Sequence, residues 1–298
     1  MGAPLPEGCI TMTTSLPEGT CDCHVHIVAS LTDYPMLADR HYTPGPASVA
    51  DLRAHMSAVG ATRAVIVQPS IYGSDNRCML DAMARMNGAA RGVAVVERDI
   101  DNEALRALHE QGVRGLRINL ESVGASDPHA IGQALQHWSA RIAPLGWHIQ
   151  IYSGLDAMAA AAADLPSLNV PIVLDHFAMI PASTSPNDPR AKAILALVAS
   201  GRAYVKLSAS YRVDTDGQHA DGVRTLARAF ADANPERMLW ASDWPHTNRE
   251  PGRRATEVSA YRHIGAPRLC DEVRDWFGDD DALLQMLVKN PARLYGFE

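Results

Sequence analysis

The first apolar run of the chain ends in Cys-Asp-Cys-His-Val-His-Ile, residues 21–27, which sets two imidazoles one residue apart at His24 and His26. Alternate side chains of a β-strand share a face, so Asp22, His24 and His26 are expected on one side and Cys21, Cys23, Val25 and Ile27 on the other. Two imidazoles on one face can exchange protons, donate hydrogen bonds or hold a metal ion. Later apolar runs also end in polar groups. His176 closes Val-Leu-Asp-His, and Asp243 stands in Ala-Ser-Asp-Trp-Pro-His, with His246 just beyond. Gln68 and Ser70, Arg117 and Asn119, Gln150 and Tyr152, and Lys206 and Ser208 occupy equivalent places. A single buried His or Asp is usually a hydrogen-bonded structural group, but many at the same end of successive strands point to a site. Arg114 and Arg117 differ by an odd number, so on a strand where Arg114 shares the apolar face of Leu116 and Ile118, Arg117 and Asn119 point inward. Arg117 is therefore the preferred anion binder.

The elements that must position these groups alternate along the whole chain. Strand patterns fall at 20–28, 64–68, 92–96, 113–120, 147–152, 171–176, 203–209 and 238–243. Helical patterns lie between them near 47–59, 75–88, 101–111, 128–143, 155–164, 188–200 and 219–233. More follow the last strand near 254–264, 268–277 and 280–289. An unbroken βα alternation implies a parallel sheet, and eight such units fit a single α/β (β/α)8 TIM barrel with extra C-terminal helices. An open dinucleotide-binding sheet would want a Gly-rich turn after strand one, where this chain has His-Ile-Val-Ala-Ser. Residues 1–19 read as a flexible N-terminal arm and 20–298 as the barrel domain. Two long connections, 29–46 and the proline-rich 177–189, leave the catalytic ends of strands and could cover a site.

Composition narrows the partners. The 298 residues carry a net charge of −7 from 27 basic and 34 acidic side chains. Neither sign forms a long block, so nothing marks a nucleic-acid surface. The alanine-rich stretch near 157–163 is too short to span a membrane. Five cysteines without framework spacing read as reduced, buried thiols of a cytoplasmic protein. A small molecule is the expected partner; a homo-oligomer is left open.

Taken together, His-Val-His at strand one, Asp-His at strand six, Ser-Asp-Trp-Pro-His at strand eight and the closing Asn-Pro-Ala-Arg-Leu-Tyr-Gly-Phe resemble the amidohydrolase superfamily. Within it the chain is similar to the 2-pyrone-4,6-dicarboxylate lactonase-like branch, which also holds sugar-acid and sulfomuconolactone lactonases. The resemblance runs from about residue 20 to the end. It implies hydrolysis of an anionic lactone in aromatic or sugar-acid catabolism, with Asp243 acting on water and His24, His26 and His176 around the carbonyl. It also implies substrate contacts from Tyr42 and Tyr152 and carboxylate binding by Arg117 and Arg212. Ser70, Lys206 and His246 are further candidate substrate contacts, though charge alone would equally let Arg212 and Lys206 pair with acidic neighbours. The loop 121–126 lacks arginine and residue 179 is Met, so fewer substrate anions are expected than a pyrone dicarboxylate carries.

Ester hydrolysis needs an activated water and a stabilised oxyanion. Asp243 can supply the base and the imidazoles the donors without a metal, which is what the resemblance implies. The same four residues, His24, His26, His176 and Asp243, could instead hold one Zn²⁺ or Mn²⁺ that acidifies a bound water. Two ions are not expected, because strand four offers no lysine to bridge them. The remaining chemistries are a lactone isomerase, a metal-dependent decarboxylase and a binding protein without catalysis.

Overall fold

A computed structural model of the chain describes residues 16–119, 128–163 and 165–297. The barrel strands are β1 Cys21–Val25, β2 Arg63–Val67, β3 Ala90–Ala94, β4 Val113–Asn119, β5 His148–Tyr152, β6 Ile172–Leu174, β7 Ala203–Ser208 and β8 Met238–Ala241. Each pairs in parallel with the next. The ring closes through a bridge between Val25 and Trp244, where Asp243 N–H donates to His24 O and His26 N–H to Trp244 O. The expected (β/α)8 barrel is the observed fold, though β3 starts and ends two residues before the span its sequence pattern suggested.

The helices are α1 Val49–Val59, α2 Arg77–Arg85, α3 Asn102–Glu110, α4 Pro128–Ile142, α5 Leu155–Ala161, α6 Pro189–Ala199, α7 Ser210–Val213, α8 Ala220–Ala233, α9 Ala266–Trp276, α10 Asp280–Leu284 and α11 Asn290–Tyr295. Their start signals are written locally: Ser48 and Asp51 form a reciprocal capping box on α1. No helix was needed near 254–264; that stretch is a loop whose Val258–Ser259 pairs in parallel with Thr43–Pro44. Leu16 is buried, and its N–H donates to Val59 O, so the end of the expected N-terminal arm lies against α1. Among the described residues no helix is long and apolar enough to cross a membrane.

Two apolar layers result. Val65, Val67, Val93, Val173, Leu239 and Ala241 fill the barrel interior together with Cys21 and Cys23, and Tyr295 and Phe297 of the C-terminal segment join them. Ala64, Ile66, Leu116, Ile149, Val205 and their like face the helices in the larger outer core. The parity expected for β1 fails at one point. Asp22 pairs with Ala64 but Val25 pairs with Ile66, so β1 spends one more residue than β2 across this span. That bulge lets Cys23 and His24 both face inward. Asp22 ends up on the outer side, where it meets His55 of α1 and Ser242 rather than standing beside the histidines.

Candidate active site

At the C-terminal mouth of the barrel the side chains from β1, β6 and β8 converge. His24 Nε2 lies 3.3 Å from His26 Nε2, and the His24 and His176 ring centres are 4.8 Å apart. Asp243 Oδ1 is 3.8 Å from His24 Nε2 and 3.9 Å from His176 Nε2. The other carboxylate oxygen is occupied. Oδ2 accepts from Tyr211 OH at 2.6 Å and Arg212 Nε at 2.8 Å, with Arg212 Nη2 at 2.7 Å. Oδ1 is buried and has no hydrogen-bond partner among the described residues. The clamp on one oxygen thus leaves the other aimed at the imidazoles.

Backbone geometry at both strand ends is unusual. Asp243 has φ 62°, and His176, Phe177, Ala178 and Met179 run through a left-handed turn with φ between 48° and 53°. Left-handed backbone costs a side-chain-bearing residue roughly 1–2 kcal/mol. Phe177, fully buried against the Trp276 ring at 5.3 Å, helps hold the turn that aims His176 into the barrel.

Burial and charge set the protonation states. Burial pushes His26 and His176 down to about 4 and His24 well below its usual value, with nearby cations adding to the effect. All three are neutral near pH 7. For Asp243 burial would raise the carboxyl, but the Arg212 guanidinium, the strongest opposing influence, holds it well below the usual carboxylate range. Because the imidazoles are uncharged at neutral pH, Arg212 is the cation that keeps Asp243 ionised.

Above this floor opens a cavity of about 440 Å³, lined by His26, His176, Asp243, Arg117, Arg212, Tyr42, Tyr152 and Ser70 among others. Arg117 Nη1 donates to Gln68 O at 3.2 Å, and Tyr42 bonds Ser70. Two predicted substrate contacts lie elsewhere. Lys206 is completely buried beneath the floor, between Gln150, Asp175 and His24, and does not line the cavity. His246 faces a neighbouring cavity with His55 and Trp244, because the left-handed turn after β8 carries it to the α1 side. Arg212 lines the cavity, yet its guanidinium is committed to Asp243. Asn119 and the loop 121–126 fall where side chains are not described.

Sequence reasoning missed Asp175, Tyr211, Arg40 and Arg249. Asp175 precedes His176 and shares the inward parity of Val173, so alternation along β6 could have found it. Arg40 and Arg249 come from loops, where no periodicity reports direction. They give the cavity four arginines with Arg117 and Arg212, more than the strands alone suggested. Of the two expected covers, 29–46 supplies Leu37, Asp39, Arg40, His41 and Tyr42 to the lining. The segment 177–189 supplies none; it turns away to α7 and α8, with Ala182 N–H donating to Val213 O.

The heavy-atom spacing also fits one divalent ion. Nitrogen atoms of His24 and His26 and an oxygen of Asp243 lie within 4.8 Å of one another, and the unpartnered Oδ1 faces the space between them. His26 Nδ1 meets Val67 O at 2.7 Å and His176 Nδ1 meets Ser208 Oγ at 2.8 Å, which turns both Nε2 atoms inward.

The sequence profile of the amidohydrolase family matches residues 21–297, spanning every residue of this constellation. The chain belongs to the amidohydrolase family. It is 33% identical over 297 residues to the 2-pyrone-4,6-dicarboxylate hydrolase of Comamonas testosteroni, covering 94% of this chain and 91% of that protein. A 4-sulfomuconolactone hydrolase of Hydrogenophaga intermedia is 26% identical, with 94% and 90% covered. A crystal structure of a 2-pyrone-4,6-dicarboxylic acid hydrolase homologue from Pseudomonas putida superposes with a TM-score of 0.78 at 26% identity, over 95% of this chain and 99% of that one. Family membership thus agrees with what the mouth of the barrel contains.

Proposed function

We propose that the protein hydrolyses an anionic lactone of the pyrone carboxylate, muconolactone or sugar-acid type. One observation carries this reading: a buried, ionised Asp243 whose free Oδ1 points at two imidazoles under a cavity rich in arginine. Asp243 Oδ1 accepts a proton from water as the water oxygen attacks the lactone carbonyl. Imidazole N–H groups of His24 and His176 donate to the carbonyl oxygen as it gains charge. The C–O bond to the ring oxygen then breaks, and Asp243 returns the proton to that oxygen. His26, neutral with its Nδ1–H on Val67 O, presents a lone pair at Nε2 that accepts the His24 Nε2–H in the free protein and turns to the water once the substrate carbonyl takes that hydrogen.

Arg117 binds a carboxylate of the substrate, with Tyr42, Ser70 and Tyr152 alongside, and Arg40 and Arg249 add positive charge at the rim. Arg212 serves Asp243 rather than the substrate. A Zn²⁺ or Mn²⁺ held by His24, His26, His176 and Asp243 would, when bound, lower the pKa of a coordinated water; Asp243 acts as the base without one. A cytoplasmic setting is proposed from the four described cysteines, all buried and unpaired.

The test is turnover of pyrone carboxylates, muconolactones and aldonolactones near neutral pH by protein purified without added metal. Product heavier than substrate by one water is expected, with turnover surviving chelation. Unchanged mass would mean isomerisation, and released carbon dioxide a decarboxylase. Stoichiometric zinc whose removal abolishes turnover would overturn the metal-free chemistry.

A further inference from the structure

Lys206 has no role in the hydrolysis as described, yet it is a fully buried cation directly under the histidine pair. Its Nζ donates to Gln150 Oε1 at 2.7 Å and lies 3.3 Å from Asp175 Oδ1. The third neighbour is His24 Nδ1 at 3.2 Å. An ammonium has three donors and no lone pair, so a hydrogen on His24 Nδ1 would confront another hydrogen. Asp175 Oδ1 is the rival partner for Nδ1, at 3.3 Å. No hydrogen bond of good geometry reaches Asp175 Oδ1 from either His24 Nδ1 or Lys206 Nζ, although the carboxylate still favours a proton on the ring.

The opposite end of the chain of rings gives the same answer independently. Val67 O can only accept, so His26 Nδ1 carries hydrogen and His26 Nε2 is bare. That bare nitrogen is 3.3 Å from His24 Nε2 and needs a donor. Both ends are satisfied when His24 carries its hydrogen on Nε2.

We infer that Lys206 is a positioning residue that fixes His24 as the Nε2–H tautomer, so that this ring meets the substrate carbonyl as a hydrogen-bond donor and not as a metal ligand. A ligating imidazole must present a lone pair at Nε2 and place its other hydrogen on an acceptor. Here the acceptor, Asp175, is near enough, but the Lys206 ammonium occupies the Nδ1 side first. Lys206 thereby selects between two uses of one histidine pair. The hydrogen placement itself does not depend on the lactone reading; only its effect on turnover does.

The direct test is long-range proton–nitrogen correlation NMR of the full chain labelled with ¹⁵N-histidine, near neutral pH, with His24 assigned by loss of its signal in His24→Gln. Hydrogen on Nε2 of His24 and on Nδ1 of His26 is expected; hydrogen on Nδ1 of His24 overturns the inference, whatever the lactone panel shows. In Lys206→Met, Asp175 is the polar neighbour that remains at Nδ1 among the described residues. The His24 hydrogen should move to Nδ1, zinc should bind about tenfold more tightly or better by titration, and kcat should fall about tenfold or more with KM nearly unchanged. An unchanged His24 tautomer or unchanged zinc affinity in a folded variant would overturn it. If Lys206→Met does not fold, the wild-type spectrum still decides.

Discussion

At the scale of single residues, the proposed site gives the two oxygens of Asp243 different surroundings. Oδ2 is held by Tyr211 and by two nitrogens of Arg212, while Oδ1 faces the His24 and His176 imidazoles. If Oδ1 is the base, Asp243→Asn should cut kcat by a factor on the order of 10³ or more without unfolding the protein, since positioned bases contribute about 10²–10⁴-fold. The role of Arg212 is separable in the same assay. A guanidinium that holds the base should, when replaced in Arg212→Met, lower kcat far more than it raises KM. One that binds a substrate carboxylate should do the reverse. A rise in KM at unchanged kcat would return Arg212 to the substrate. Much of this proposed site could be read beforehand, because His24, His26, His176 and Asp243 each close an apolar run; the aim of His176 could not, since it has the outward parity of Leu174 and only the left-handed turn brings it inward. The commitment of Arg212 to Asp243 could not, since a charge in sequence does not announce which of several partners it will meet.

At the scale of elements, closure of the barrel depends on a side chain that left the site. The bulge in β1 parts His24 from Asp22, which faces outward: its Oδ1 accepts Ser242 N–H at 2.9 Å, Oδ2 accepts the Ser242 hydroxyl, and His55 Nε2 of α1 lies 3.3 Å away. Asp22 therefore ties β1 to the end of β8 at the seam where no regular ladder runs. Asp22→Ala would leave the buried Ser242 N–H without its acceptor. A loss of about 1–3 kcal/mol in urea unfolding is expected, and Asp22→Asn, which keeps one carbonyl oxygen, should lose less. Equal stability of wild type and Asp22→Ala would remove Asp22 from the seam. The eight strands were legible because each is a short β-branched run flanked by helical periodicity. The bulge was not, because one extra residue leaves composition untouched and only shifts parity, which is a matter of pairing with β2. The stretch near 254–264 misled for a related reason: its partner, Thr43–Pro44, is more than two hundred residues away.

At the scale of the whole molecule, the interior is charged and imidazole-rich, and this ties stability to pH. His148 is buried between Gly115 and the Tyr295 ring, and His246 is buried beside Trp244. Burial is the first cause of their low pKa values, about 3 for His148 and about 4 for His246. Lys206 adds to it and Asp175 opposes it at His148; His55 adds to it while Asp243 and Asp22 oppose it at His246. In the unfolded chain both titrate near 6.5. Above that pH neither state binds a proton on these rings and their contribution is complete. As pH falls below about 6.5 the unfolded chain takes up protons that the folded one refuses, so stability drops by up to about 1.4 kcal/mol per pH unit for each ring. The drop from His246 ends near 4 and that from His148 near 3, where the folded rings also protonate. Carboxylates begin to contribute only near their unfolded value of about 4, so the window from 6.5 down to about 4 isolates the imidazoles. Urea midpoints measured across it should fall steadily with acidification, and His148→Gln should flatten the slope by about one proton's worth. A wild-type curve that stays level between those limits would mean that these rings are already protonated, or open to water, inside the fold.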